Sequence, residues 1–240
     1  MSKVHMILQP KGGIGKTLIS SLIAQYLKQH VADLLVIDID QENPTLSQYK
    51  GLNVEKISVM GEGRAIDPKK FDVLMNAILE HQGDIVVDTG ANTFSSLMAY
   101  IIENGVFEMI ESSGKTLVVH TVIGGGDCMY DTANGFADIA SYVNGNVILW
   151  LNEHFGSLES STGVKWEDSK VLAANRDKVV STILLQKRTA ATFGADINKM
   201  TSARLTFDEV GKSDKFGAME KNRLNIVKKG VFDQLDNAVL

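Results

Sequence analysis

Short apolar runs of strand length alternate with amphipathic stretches of helical period along most of the chain. The run over residues 34–39 is apolar at every position except Asp38, which is typical of a strand covered on both faces. The predicted strands are residues 4–8, 34–39, 56–60, 85–87, 116–122, 147–151 and 179–185. Helical patterns lie between several of them, at residues 18–27, 71–80, 94–110 and 128–143. Because strand–helix alternation requires right-handed crossovers, the pattern predicts an α/β fold: a mostly parallel twisted sheet with helices on both faces.

Nothing in the composition marks a domain boundary. The 240 residues include only three prolines, and no Pro-rich, Gly/Ser-rich or low-complexity linker interrupts them. We therefore expect residues 1–240 to form a single domain. Its C-terminal region, from roughly residue 186 to residue 240, is expected to be helical and packed on the same domain.

Chemically distinctive residues follow four of the predicted strands. The segment from Lys11 to Thr17 follows the first strand, and Asp40, Asp88 and Asn152 follow later ones. Parallel α/β sheets bind their ligands at the carboxyl ends of the strands. We therefore expect these residues to converge on one edge of the sheet.

The first of these segments has the composition of a phosphate-binding loop. Between a predicted strand and an amphipathic helix, the chain reads Gln9-Pro10-Lys11-Gly12-Gly13-Ile14-Gly15-Lys16-Thr17. Its glycines allow the backbone N–H groups to turn toward phosphate oxygens, and the following helix adds the positive end of its dipole. Lys16 would reach the β- and γ-phosphates, and the Thr17 hydroxyl would ligate Mg²⁺. The alternative is a glycine-rich turn with an incidental lysine.

The same segment resembles the deviant Walker A motif, KGGxGK[ST], of the ParA/MinD ATPases, which belong to the SIMIBI class of P-loop NTPases. Residues 35–41 are similar to the family's switch I strand, and residues 84–90 to its Walker B and switch II segment. The resemblance is clearest over residues 1–155. The chain as a whole is most similar to plasmid-encoded conjugation and stability proteins of the TraL and StbB types. Pro10 replaces the first glycine of the general motif, and Gly90 and Ala91 stand where the family commonly has proline and glycine.

This resemblance implies catalytic and metal-binding roles. Lys11 would be the family's signature lysine, which reaches the nucleotide of a partner subunit and stabilises phosphate charge there. Asp40 would orient the attacking water, and Asp38 is a second candidate that would polarise the magnesium shell. Asp88 would hold Mg²⁺ through a water or through Thr17, with Asp40 also in the metal set. Each aspartate has a structural alternative, because aspartate also begins loops and caps helices.

The resemblance further implies contacts with the base and the phosphates of ATP or ADP. Asn152 would read the amide edge of adenine, and Gln186 and Lys187 would border the base. Asparagine after a strand is also a common turn residue, so two interpretations of Asn152 stay open. The remaining predicted nucleotide-binding residues are Lys11, Gly12, Gly13, Ile14, Gly15, Lys16, Thr17 and Leu18.

Composition narrows the classes of function. The formal charge of −5 argues against a broadly basic nucleic-acid surface, although not against a local patch. Cys128 is the single cysteine, so a metal site with several thiolates is excluded, and the five histidines lack metal-ligand spacing. The first apolar stretch is too short for a signal peptide, and no run reaches the roughly 18 residues of a spanning helix. A cytoplasmic protein is expected.

The last third of the chain carries a basic cluster beside apolar positions. The cluster comprises Lys212, Lys215, Lys221, Arg223, Lys228 and Lys229. MinD relatives end in a basic amphipathic membrane-binding helix, but here Asp233 and Asp236 interrupt the terminal stretch. A docked surface helix is therefore expected and membrane binding is not, while DNA binding, direct or through an adaptor, stays an alternative.

The resulting hypothesis is a weak, partner-stimulated ATPase that forms an ATP-dependent homodimer and acts with plasmid conjugation or partition machinery. The alternative is an ATP-dependent small-molecule ligase of the dethiobiotin synthetase type, which needs an acceptor pocket that the sequence does not reveal. The iron–sulfur branch of the superfamily is disfavoured. A dimer would supply only two copies of Cys128 to a bridging cluster that needs four thiolates.

Overall fold

The computed structural model describes residues 2–62, 65–160 and 162–238. Seven strands form one sheet, and each of its pairings within the described chain is parallel. The strands are β1 (Lys3–Ile7), β2 (Leu34–Asp38), β3 (Glu55–Lys56), β4 (Asp84–Asp88), β5 (Thr116–Gly124), β6 (Val147–Asn152) and β7 (Val179–Leu185). Their spatial order is β3-β2-β4-β1-β5-β6-β7. The strand that precedes the predicted phosphate loop, β1, is therefore central and has neighbours on both sides.

Helices cover both faces of this sheet, as predicted. They are α1 (Lys16–His30), α2 (Phe71–Glu80), α3 (Ala91–Asn104), α4 (Val106–Ser112), α5 (Met129–Ala140), α6 (Lys170–Ala174), α7 (Ala195–Ser202), α8 (Phe207–Lys212) and α9 (Ala218–Asp236). Successive strand residues point to opposite faces. Met6 and Val87 pack in the layer of α2 to α6, whereas Ile7 and Val86 pack with α1 and α7 to α9. Both faces of the central strands are thus buried, which explains their continuous apolar runs.

The C-terminal helices share the apolar layer of α1. Leu224, Val231 and Phe232 of α9 are buried in this layer, and the Phe232 ring meets Tyr26 of α1 edge to face at 5.4 Å. The Tyr26 hydroxyl also donates a hydrogen bond of 2.9 Å to Asp236. In the structure, α9 packs along the apolar layer of α1. Within the described ranges, no helix is long and apolar enough to cross a membrane.

Two predicted elements differ from the structure. The predicted helix over residues 94–110 is divided at Gly105, whose φ of 58° lies in the left-handed region, so α3 ends there and α4 begins. The predicted strand over residues 56–60 pairs with β2 only at its first position, and Met60 instead forms an isolated antiparallel bridge with Ile66. Ile57 and Val59 are buried in the hydrophobic core although neither is a register partner of a β2 residue. Their alternation with exposed residues therefore resembles the pattern of a strand.

A chain of buried polar side chains crosses β1, β5 and β6. The Trp150 Nε1–H donates to His120 Nδ1 at 3.0 Å, and His120 Nε2 lies 3.0 Å from His5 Nδ1. An indole only donates, so His120 accepts at Nδ1, carries its proton on Nε2 and donates to His5. Burial lowers the pKa of His5 to about 3 and that of His120 well below its ordinary value. Both rings are therefore neutral at physiological pH and serve the packing of the sheet.

We expect Trp150→Phe to lower the free energy of unfolding by about 2 kcal/mol, because it leaves the buried His120 Nδ1 without a donor. The measurement is urea denaturation at pH 7. Trp166→Phe is the matched control: Trp166 is also buried and meets Phe136 edge to face, but its indole has no hydrogen-bond partner in the described chain. Equal losses in the two variants would contradict the assigned hydrogen-bond chain.

Candidate functional site

The predicted site residues lie at the carboxyl ends of neighbouring strands. Ile7 of β1 and Asp38 of β2 are both register partners of Asp88 in β4. On the other side of β1, Asn152 of β6 is the register partner of Gly124 at the end of β5. The loop that follows β1 begins between these ends, so the structure brings the predicted residues together at one edge.

The loop between β1 and α1 presents backbone donors that are not used within the protein. Gly13 and Gly15 have φ values of 70° and 104°, in the left-handed region that favours glycine. The N–H groups of Gly12, Gly13 and Gly15 donate to no acceptor in the part of the chain that the structure describes. Helix α1 begins at Lys16 without a side-chain cap or an acidic residue in its first turn. Free donors at an uncapped helix N-terminus suit an anion such as a phosphate.

The loop is held in place through its carbonyl groups and its first side chain. Asn152 Nδ2 donates to the Ile14 carbonyl at 3.0 Å, and Thr89 Oγ1 donates to the Ile7 carbonyl at 2.5 Å. The side chain of Gln9 is buried and donates to the carbonyl of Val122 in β5 at 2.8 Å. These contacts fix the loop to both neighbouring strands without using its N–H groups.

Helix α5 reaches the loop at two points. A β-carbon at Gly135 would lie 2.1 Å from Gln9 Oε1, so glycine is required for this close approach. Nearer the start of α5, Asp131 Oδ2 lies 2.7 Å from Lys11 Nζ, with the two side chains 52% and 41% exposed. The hydrogen bond from Lys11 to Asp131, followed by the charge of Asp131, raises the pKa of Lys11. Lys11 is thus a charged, accessible side chain on the outer side of the loop.

Lys16 lies on the inner side of the same loop. Its side chain is buried, and its Nζ donates to the Lys11 carbonyl at 3.0 Å. Burial lowers the pKa of Lys16, while the charges of Asp88 and Asp40 oppose this shift. The ammonium group therefore faces the carboxylates of β4 and of the loop after β2, which places a cation where phosphate oxygens would sit.

Asp88 provides a buried acceptor beside this ammonium. Its Oδ1 accepts a hydrogen bond of 2.7 Å from the Ser20 hydroxyl of α1, but its Oδ2 is buried without a partner among the described residues. Burial raises the pKa of Asp88 to about 7, and the hydrogen bond from Ser20 and the nearby Thr17 hydroxyl oppose this rise. An unpaired buried carboxylate oxygen next to a threonine hydroxyl fits the oxygen ligands that Mg²⁺ prefers.

The two aspartates after β2 have different surroundings. Asp38 is fully buried, and its two oxygens accept the backbone N–H groups of Asp40 at 3.0 Å and Ser47 at 2.9 Å. Burial raises the pKa of Asp38, and these two hydrogen bonds oppose the rise. Both oxygens therefore hold the loop, which is the structural alternative to a catalytic role. Asp40 lies against Gly90, where a β-carbon would come within 2.7 Å of its carboxyl carbon.

The predicted base contacts are placed at the same edge, but their side chains do not converge. Asn152 uses its amide nitrogen for Ile14 and its Oδ1 to accept the N–H of His154 at 3.1 Å, so the geometry favours bracing over base reading. Gln186 and Lys187 are exposed after β7, where the Lys187 N–H donates to Glu153 at 2.9 Å. Leu18 is half-buried in the first turn of α1.

Three residues of the site were not predicted from the sequence: Gln9, Ser20 and Asp131. Ser20 follows Lys16 by one helical turn, so helical spacing was the available signal. Asp131 is 120 positions from Lys11, and no local pattern connects them.

Comparisons with known proteins agree with this geometry. The family described as the CobQ/CobB/MinD/ParA nucleotide binding domain matches residues 5–234. Two curated proteins named Protein TraL, both from Escherichia coli, are each 38% identical over 242 aligned residues, covering 100% of this chain and 100% of their own length.

Solved structures show the same fold at low sequence identity. MinD of Pyrococcus horikoshii, solved in complex with Mg-ADP, is 16% identical to this chain. Its TM-score is 0.55, and the match covers 94% of this chain and 96% of its own. The MinC:MinD cell division complex of Aquifex aeolicus has a chain that is 17% identical, with a TM-score of 0.53 over 94% of this chain and 95% of its own.

The raised pKa of Asp88 predicts a pH dependence of stability in the absence of nucleotide and magnesium. The folded state keeps a proton to about pH 7 that the unfolded chain releases near 3.8, so stability falls as pH rises between these values. Asp88→Asn preserves the acceptor for Ser20 and removes this ionisation. We expect the variant to be more stable at pH 8, by on the order of 3 kcal/mol.

The measurement is urea unfolding from pH 4 to pH 8 in buffer with a chelator. Asp138→Asn, at an exposed position of α5, is the control and should keep the pH profile of the unmodified chain. An unchanged profile in Asp88→Asn would contradict the assignment.

Proposed function

This chain belongs to the CobQ/CobB/MinD/ParA nucleotide-binding family, and from that premise we propose that it is an ATPase that dimerises around ATP. We further propose that this switch acts in plasmid conjugative transfer or segregation, a role supported by identity to TraL along the whole chain. One observation carries the proposal: a single loop bears two lysines that face opposite ways. Lys16 is buried toward Asp88, whereas Lys11 is half-exposed toward solvent and Asp131.

The inner side of the loop would bind the triphosphate of ATP. The free N–H groups of Gly12, Gly13 and Gly15 would donate to phosphate oxygens, and the Lys16 ammonium would exchange the Lys11 carbonyl for a phosphate oxygen. Thr17 and Asp88 would hold Mg²⁺, with the free Oδ2 of Asp88 accepting from its water shell. Bound Mg²⁺ would neutralise charge on the phosphate oxygens.

The outer side of the loop would act on a second copy of the chain. Lys11 is accessible and charged, so it can leave Asp131 for the more strongly charged phosphates of a facing subunit. Asp40 would orient the attacking water, because it lies beside Lys16 at the strand ends and, within the described chain, only one of its oxygens is used. Its Oδ1 accepts the N–H groups of Glu42 at 3.1 Å and Asn43 at 3.0 Å, whereas both oxygens of Asp38 are occupied. The contact of Asp40 with Gly90 links the two loops that flank the nucleotide.

The partner that this switch would serve is proposed to be a protein of the conjugation or partition machinery. A MinD chain was solved in complex with MinC, which supports a partner protein for a chain of this fold. DNA would be reached through an adaptor, because the formal charge of the chain is −5. A cytoplasmic location fits this role.

A cavity beside the site is the place where the second candidate, the ATP-dependent ligase, would have to bind its acceptor. It has a volume of about 300 Å³ and lies between the loop after β2 and the start of α3. Its lining consists of Gln41, Glu42, Met60, Ile66, Asn92, Thr93 and Ser96. These described lining residues include the carboxylate of Glu42 and no lysine or arginine, whereas a carboxylate acceptor calls for a cation. The cavity thus favours the switch over the carboxylate-activating ligase.

The two candidates differ in what ATP turnover requires. The purified chain should hydrolyse ATP with Mg²⁺ alone, at a low rate, if it is a switch. Phosphate release measured with and without a pool of small carboxylic acids tests this, and turnover that depends strictly on an added metabolite would favour the ligase.

The switch predicts that Lys11→Ala binds ATP but loses turnover by on the order of 10³, because the cation supplied to the facing subunit is missing. The variant should also fail to form the dimer that the unmodified chain forms with a non-hydrolysable ATP analogue and Mg²⁺. Calorimetry, phosphate release and size-exclusion with light scattering measure these three properties.

Lys170→Ala removes an exposed lysine at the start of α6 and should behave as the unmodified chain. Normal ATP turnover by Lys11→Ala would count heavily against the switch. Absence of any magnesium-dependent affinity for adenine nucleotides in the unmodified chain would overturn both candidates.

A further inference from the structure

A groove between α8 and α9 lies apart from the strand ends that carry the candidate site. Its cavity of about 530 Å³ has a floor formed by Phe207, Val210 and Leu224. The exposed fractions of these side chains are 7%, 2% and 1%. Their packing is shared with the apolar layer of α1, so the floor is part of the rigid core and not of a loose surface.

The rim of the groove is basic. Lys212, Lys221 and Lys228 line it, and Asp208 is the one acidic residue among its described lining residues. The local charge is therefore +2, on a chain whose formal charge is −5. Asp208 accepts an ion pair of 2.9 Å from Lys228, so its charge is already matched. The side-chain ammonium groups of Lys212 and Lys221 have no ion pair or hydrogen bond with any described residue, whereas that of Lys228 has both. Two unmatched cations thus stand over an apolar floor.

This combination of floor and rim points to one kind of occupant. An apolar floor buries an apolar side chain, and a basic rim selects carboxylates by complementary charge. A cavity of this size accommodates one or two large side chains. We propose that the groove between α8 and α9 binds a short acidic segment of a partner protein, in which carboxylates flank a leucine or an aromatic residue.

The groove fits a nucleic acid less well. A phosphate backbone is bound by clustered cations and needs no apolar floor. A protein segment uses both features at once. The basic cluster singled out in the sequence is therefore divided in the structure, since Arg223 pairs with buried Asp196 at 2.5 Å while Lys212 and Lys221 stay free for a ligand.

Helix α8, which forms one side of the groove, is hydrogen-bonded to α1, the helix that follows the phosphate loop. The N–H of Phe207, the first residue of α8, donates to Gln25 of α1 at 2.8 Å. Just before α8, Arg204 Nε donates to Gln48 at 3.1 Å, in the segment that follows Asp40. A partner docked here would contact a helix anchored to the phosphate-loop helix, without covering the strand ends.

The test begins with a random peptide library displayed on phage. The library is selected against the full chain and counter-selected against Lys212→Glu/Lys221→Glu. We expect the enriched peptides to carry aspartate or glutamate on both sides of a leucine, phenylalanine or tryptophan. Enrichment of basic or uncharged sequences, or no enrichment over the counter-selecting variant, would overturn the proposal.

An enriched peptide with a fluorescent label is then titrated by anisotropy. Lys212→Glu/Lys221→Glu should weaken its binding by roughly tenfold or more, and Lys165→Glu/Lys170→Glu, the control with the same change of charge, should not. Gly211→Tyr tests the shape of the groove independently of charge, because a β-carbon at Gly211 meets no atom within 4 Å and the residue lines the cavity. We expect this variant to keep the melting temperature of the unmodified chain and to lose peptide binding.

Two results would refute the acidic segment as the occupant. One is peptide binding that neither groove variant changes. The other is duplex DNA that binds with the same dependence on Lys212 and Lys221 as the peptide, which would assign the groove to a phosphate backbone. Nucleotide affinity, measured in parallel, should be the same in all variants, so this test is independent of the proposed ATPase.

Discussion

The phosphate loop must keep its backbone N–H groups free for a ligand and still have one shape, and this constraint organises the structure around it. The loop is held instead through its backbone carbonyl groups, which accept hydrogen bonds from side chains. Asn152 donates to the Ile14 carbonyl, Thr89 to the Ile7 carbonyl and Lys16 to the Lys11 carbonyl. Each of these donors comes from a different element, so the loop is fixed by the strands on both sides of β1 and by α1. A loop held through its N–H groups would be as rigid but could not bind an anion.

The same constraint explains why glycines occur away from the loop. Gly135 lets α5 approach Gln9, and Gly90 lets the segment after β4 approach Asp40. Both are places where a second element must lie within van der Waals contact of the site. Because α5 then reaches the loop, Asp131 is positioned to hold Lys11 on the outer surface. The separation of the two lysines into an inner and an outer cation is thus a consequence of how the neighbouring elements pack.

One polar side chain at the strand ends, the buried carboxylate of Asp88, is poorly satisfied. Its oxygen without a partner and its raised pKa express the same fact: in the absence of a cation, the site holds a charge that is poorly compensated. Stability is given up there, whereas Trp150 and His120 in the sheet satisfy each other by a buried hydrogen bond. Buried groups with perturbed pKa values cluster at functional sites, which agrees with the position of Asp88 at the strand ends.

The sequence alone determined the α/β class, the strands of the central sheet, the phosphate loop and the family, because these depend on local periodicity and on a contiguous motif. It also predicted that Asp40, Asp88 and Asn152 follow their strands, and it placed Asp38 inside the strand over residues 34–39, whereas β2 ends at Asp38. Tertiary structure decided what these side chains do. Asp38 and Asn152 turned to backbone groups of nearby loops, and local sequence does not show which groups will lie within 3 Å. Tertiary structure also decided the short pairing of β3 and the contact between Lys11 and Asp131, since both depend on residues brought together from distant parts of the chain. The break at Gly105 has a local cause, a glycine in the left-handed conformation, which the helical period over residues 94–110 does not show. Local chemistry fixes which groups are available, and long-range packing fixes which of them meet.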